Sequence, residues 1–116
     1  MRPATSVSCE CAVLAADRGP QEPNGIRRIQ GEHFDIEFVR VVRGEIVSRA
    51  PGFTAGEEVA AVLEGVLHVE SGDERHVLGV GEGIVIPPGQ GSRWSAHETG
   101  GLLYRVIVRV DAAAAP

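Results

Sequence analysis

The sequence predicts an all-β protein, and three observations carry that reading. From Phe34 onward the apolar residues alternate with polar ones or run in short β-branched stretches, the period-two pattern of strands. Turn formers interrupt the pattern about every 8 to 12 residues, as in a sandwich or barrel. They fall at Gly44, Pro51-Gly52, Gly65, Ser71-Gly72-Asp73, Gly81, Gly83, Pro87-Pro88-Gly89 and Gly100-Gly101. No segment sustains the spacing of an amphipathic helix, and 15 glycines would penalise one wherever it formed.

Taken in order, residues 1–32 read as an N-terminal strand and a loop, residues 33–110 as the barrel core, and residues 111–116 as a frayed tail of small residues. The first strand covers residues 7–14 and is long enough to add to another subunit's sheet edge. Cys9 and Cys11 fall within it, two apart and on one face; a disulfide between them would be strained, and no second Cys pair completes a thiolate metal site. They read as two small half-buried side chains. Residues 15–32 carry Gly19-Pro20, Pro23-Asn24-Gly25 and Gly31, a density of turn formers that excludes helix or strand interior. In the next strand, parity puts Phe34, Ile36, Phe38, Arg40 and Val42 on one face and Asp35, Glu37 and Arg43 on the other. The apolar face is expected to point inward, taking Arg40 with it. In the last strand Leu102, Tyr104, Val106, Val108 and Val110 share the inward face by the same rule, and Arg105 and Arg109 face away.

At 116 residues and 43% hydrophobic content, the chain has the size of one domain with one modest core. A formal charge of −5, with 16 acidic against 11 basic residues, argues against nucleic acid as a partner. The N-terminal apolar run, residues 11–16, is too short for a signal-peptide core or a membrane span, so the expected location is cytoplasmic.

Two stretches carry a resemblance. Glu58, six residues and Gly65 are similar to the end of the first conserved motif of the cupin superfamily; Gly81, five residues, Pro87 and Gly89 are similar to the second. The match spans about residues 44–96, and it implies a cupin-type jelly-roll β-barrel in a single domain; it also implies a homodimer, to which the strand at residues 7–14 could contribute by strand exchange. Cupin metal sites take two His from a His-x-His, the Glu, and one His from the second motif. Here the His-x-His positions fall on Pro51 and Phe53, or on Gly52 and Thr54 with a spacing one shorter, and the last falls on Ser92. Glu58 with Ser92 cannot supply the three or four ligands a transition metal needs, so no metal and no cofactor is expected. Of the remaining histidines, His68 and His76 lie on strands joined by the Gly72-Asp73 turn and read as a polar outer face, while His97 reads as a solvated loop residue.

The resemblance and the parity argument together line the barrel mouth with Phe53, Glu58, Ser92, Trp94, Tyr104 and Arg40, aromatic walls with a few polar groups, which describes a small-molecule site. A carboxylate kept inward without a metal needs another partner. Either Arg40 pairs with Glu58, or Glu58 acts as acid/base on a small oxygenated or aromatic metabolite, with Tyr104 or Ser92 as hydrogen-bond donor, in an isomerase, cyclase or dehydratase. The alternatives are a non-catalytic binding or sensing module that acts through a partner chain, and a filled barrel serving only dimerisation.

Overall fold

The computed structural model describes residues 11–110. Seven strands follow in chain order: β1 (Ile26–Gln30), β2 (Phe34–Val41), β3 (Ile46–Arg49), β4 (Glu58–Ser71), β5 (Glu74–Leu78), β6 (Gly83–Ile86) and β7 (Ser92–Val108). All pairings are antiparallel, and no helix occurs among the described residues. The fold is all-β, a jelly-roll barrel.

Two long strands make the barrel by serving both of its layers. The first half of β4 pairs with β6 and with the second half of β7, which pairs in turn with β2, and β2 with β1. That gives a five-stranded layer ordered β1-β2-β7-β4-β6. The second half of β4 pairs with β5 and with the first half of β7, which also pairs with β3, giving a four-stranded layer. The bend between layers lies where the β4–β7 register slips, between Val62 and Glu64 and again between Gly65 and Leu67. Gly65 has φ +73°, and a Cβ there would collide with the Gly100 carbonyl oxygen, so only glycine allows the strands to cross this closely. The motif glycine is thus a bend residue.

The layers close on Val39, Val41, Val62, Leu67, Val69, Trp94 and Leu103, all buried. Each such aliphatic side chain contributes about 1.5–3 kcal/mol through its burial.

Four expectations are corrected. Residues 26–30 form β1 inside the expected loop; with only Ile26 and Ile29 apolar and a partner on one side alone, this edge strand carries little periodic signal. β7 runs unbroken through Gly100-Gly101 and includes His97. Residues 11–14 form no strand and Cys11 is exposed, while Cys9, the rest of the expected N-terminal strand and residues 111–116 lie outside the described residues. Most consequentially, the parity of β2 and β7 is inverted: Glu37, Val39 and Val41 point inward with Leu103 and Arg105, and Phe38, Arg40 and Tyr104 point outward. The apolar faces of these strands lie on the outside of the barrel because ion pairs satisfy the charged ones within.

Candidate functional site

At one end of the barrel the interior turns from apolar to ionic. Glu58, the first residue of β4, is fully buried. Its Oε1 accepts from Arg49 Nε at 3.0 Å and from Ser92 Oγ at 2.9 Å; its Oε2 accepts from Trp94 Nε1 at 3.1 Å and from Arg105 Nη1 at 3.5 Å. Arg49 closes β3, which pairs with β7 at Ser92, so the strand pairing itself brings three of these groups together. Arg105 and Glu37 are directly paired across β7 and β2, and Arg105 Nε donates to Glu37 Oε1 at 2.7 Å. Arg28 Nε donates to the other oxygen, Oε2, at 2.6 Å, and Arg28 Nη1 lies 3.3 Å from Glu22 at the surface. The result is a chain of alternating charge, Glu22–Arg28–Glu37–Arg105–Glu58–Arg49, running from solvent into the barrel. Burial acts to lower the Arg28 pKa, but the hydrogen bond to Glu37 and the charges of Glu37, Glu22 and Asp35 outweigh it and hold the guanidinium above its ordinary value.

This chain forms one wall of an open cavity of about 740 Å³ lined by Arg28, Asp35, Glu37, Arg49, Thr54, Arg105 and Arg109, with Ile26, Val47 and Ile107 as its apolar part. Arg49 spends Nε on Glu58 and Nη2 on the Gly56 carbonyl oxygen, 2.9 Å away; Arg105 spends Nε and Nη1 on the two carboxylates. Each guanidinium keeps one terminal nitrogen without a protein acceptor among the described residues, and both arginines are among the residues that line the cavity. Asp35, also on the wall, keeps Oδ1 buried without a hydrogen bond: Arg109 Nε is 3.4 Å away but poorly aimed. Such an acceptor calls for a donor from a ligand or an ordered water.

Of the six residues expected at the pocket, the structure brings Glu58, Ser92 and Trp94 together, but behind the arginines rather than on the cavity wall. The other three are elsewhere. Arg40 points outward and pairs with Glu64 at 2.8 Å. Tyr104 is on the same outer face, its ring centroid 5.1 Å from that of Phe38. Phe53 is 67% exposed in the loop before β4, and the neighbouring Thr54 reaches the cavity instead. The functional groups that the sequence reading missed are Arg28, Glu37, Arg49 and Arg105. A partial signal existed in Asp35 and Glu37, two apart on β2, but it looks like a solvent face until the partner strand is known.

No protein-family model and no curated protein matches the sequence. Solved structures do match: KdgF from Halomonas sp. superposes with a TM-score of 0.70 at 17% identity, over 90% of this chain and 98% of its own. A cupin superfamily protein from Desulfitobacterium hafniense gives a TM-score of 0.64 at 15% identity, over 91% and 97% of the two chains. The cupin domain of an XRE family transcriptional regulator from Enterobacter cloacae gives 0.64 at 13%, over 74% and 96%. The chain has the cupin fold.

A cupin of the usual kind would hold a metal beside Glu58, and the residues here do not fit one. Both oxygens of the carboxylate already accept from two donors each, and two of those donors are cations that would repel a divalent ion. Among the described residues no group of three or more His, Cys, Asp or Glu is gathered to bind an ion. His68 Nε2 and His97 Nδ1 are 2.6 Å apart on the outside of the four-stranded layer, and His76 pairs with Glu74. No helix among the described residues is long and apolar enough to cross a membrane.

Proposed function

We propose that this protein is a metal-independent cupin that binds a small, oxygen-rich organic molecule in the open end of its barrel. The single observation that carries the reading is that Arg49 and Arg105, both cavity-lining and both bonded to Glu58, each keep one terminal nitrogen without a protein acceptor among the described residues. A planar guanidinium fixed by a buried carboxylate presents its remaining N–H groups in a set direction, which suits a ligand carboxylate or hydroxyl. Asp35 supplies the complementary acceptor. The charges of the wall nearly balance, so the reading favours hydroxy acids and sugar acids over polyanions. Arg49 and Arg105 stand against Glu58 as the positive charge that a metal would otherwise provide.

Catalysis on the bound molecule, as an isomerase, cyclase or dehydratase, is the finer reading. Its expected acid/base, Glu58, is behind the arginines with both oxygens occupied, and its expected donor, Tyr104, is on the outer face. The arrangement therefore favours binding or sensing over proton transfer by Glu58. A thermal-shift screen of hydroxy acids, uronic acids and aldonic acids tests the proposal. We expect at least one class to raise the melting temperature, and Arg49→Gln to weaken its binding at least tenfold, about 1.4 kcal/mol. A panel without a single hit, or a hit indifferent to Arg49→Gln, would contradict the assignment.

A further inference from the structure

We propose that Asp35 reads the carbon next to the ligand's carboxylate and selects a hydroxyl there, so that the cavity takes 2-hydroxy acids and rejects their 2-oxo counterparts. The inference rests on the reading of the cavity as a carboxylate site and adds to it the residue that sets specificity.

The register of the five-stranded layer arranges the cavity wall in rows. Glu37 on β2 is opposite Arg105 on β7; one row nearer the end of β7, Asp35 is opposite Ile107, which has Glu58 of β4 on its other side. Asp35 is therefore the diagonal neighbour of Arg105, a Cα separation of about 7–8 Å. Ile107 lines the cavity beside both of them. The carboxylates of these rows are not equally engaged. Glu37 accepts at each oxygen, from Arg105 and from Arg28, and Glu58 accepts at both of its own. Asp35 has a side chain only 14% exposed, lines the same cavity, and keeps Oδ1 without a hydrogen bond. Arg105, with Nε on Glu37 and Nη1 on Glu58, keeps Nη2 for a ligand. A donor for a carboxylate and an open acceptor thus occupy neighbouring positions on one wall, with an aliphatic side chain between them. That arrangement matches a ligand with its carboxylate on one carbon and a proton donor on the next.

The chemistry of Asp35 chooses the donor. A carboxylate accepts hydrogen bonds and gives none. A hydroxyl beside the ligand carboxylate donates to Oδ1, whereas an oxo group brings a second acceptor and leaves the buried oxygen unmet. A site built to bond a ligand hydroxyl discriminates against an analogue that lacks it for this reason. An ammonium would also donate, but it would stand beside Arg109. The Nε of Arg109 is 3.4 Å from the same oxygen, and its Nη2 is tied to the carbonyl oxygens of Gly31 and Glu32. A cation already fixed there favours a neutral donor.

Titration calorimetry on the full chain tests the proposal with two matched pairs, gluconate against 2-oxogluconate and lactate against pyruvate. We expect the 2-hydroxy member of at least one pair to bind at least tenfold more tightly than its 2-oxo partner. In Asp35→Asn the amide can turn its NH2 toward a carbonyl, and that ratio is expected to fall at least tenfold. Arg49→Gln is expected to weaken both members by the same factor and leave the ratio intact. A 2-oxo acid that binds as tightly as its 2-hydroxy partner overturns the inference and leaves carboxylate binding standing. A ratio that survives Asp35→Asn overturns it too, and makes Asp35 an anchor for Arg109 alone. Should Asp35→Asn fail to fold, the wild-type ratio decides, and a value below tenfold in both pairs overturns the inference. Binding of none of the four acids also overturns it; the carboxylate reading falls with it only if the uronic acids, which in ring form carry an ether beside the carboxylate, fail to bind as well.

Discussion

The two layers of the barrel differ in what they turn toward water. The four-stranded layer shows Ser48, His68, Glu70, Arg93 and Ser95 on its outer face, with Ile46 and Val77 exposed among them, and packs Trp94, Leu67 and Val69 inside, close to the usual alternation of a half-solvated sheet. The five-stranded layer turns Phe34, Ile36, Phe38 and Val59 outward and carries Glu37, Glu58 and Arg105 inside. The comparison teaches that hydrophobic parity alone does not say which face of a strand the barrel buries. In the five-stranded layer the barrel buries the face that carries Val39, Val41 and Leu103 together with Glu37 and Arg105, because those charges are paired there, while the more apolar row of β2 stays outside.

The largest effect that sharpens this contrast is expected from Glu58→Gln. It strips the countercharge from Arg49 and Arg105 in a buried site and should cost ~3–5 kcal/mol in denaturant unfolding. A cost below about 1 kcal/mol, the level of a surface pair, would mean that the ionic chain is not a structural element. Leu67→Ala, in the apolar layer, should cost ~2–5 kcal/mol through the cavity it opens. Unlike Arg49→Gln, it should leave ligand affinity unchanged in titration calorimetry, since Leu67 is not among the residues that line the cavity; a matching loss of affinity would erase the distinction between the two ends. The smallest effect is expected from Arg40→Ala. Its exposed pair with Glu64 is worth ~0–1 kcal/mol to the stability of one chain. A drop well above 1 kcal/mol would mean that the pair is shielded from solvent screening.

The fold was legible because turn residues and period-two alternation need no partner to be recognised. Gly65, Gly81, Pro87 and Gly89 mark backbone positions that few other residues can fill, and they carried the fold-family resemblance. The cluster of Glu58, Ser92 and Trp94 was legible for the same reason, through motif spacing. The arginines were not. Whether Arg105 faces water or Glu37 depends on which residue of β2 lies across from it, a register fixed by long-range pairing between residues far apart in sequence. Arg40 and Tyr104 were misplaced by the converse inference, that the more apolar face of a strand must be the barrel's interior.

Elemental analysis by mass spectrometry, on untagged protein purified without chelators, tests most directly the claim that guanidinium ions rather than a metal answer Glu58. The account predicts no transition metal near stoichiometry in wild-type protein. One metal ion per chain, lost on Glu58→Gln, would contradict it.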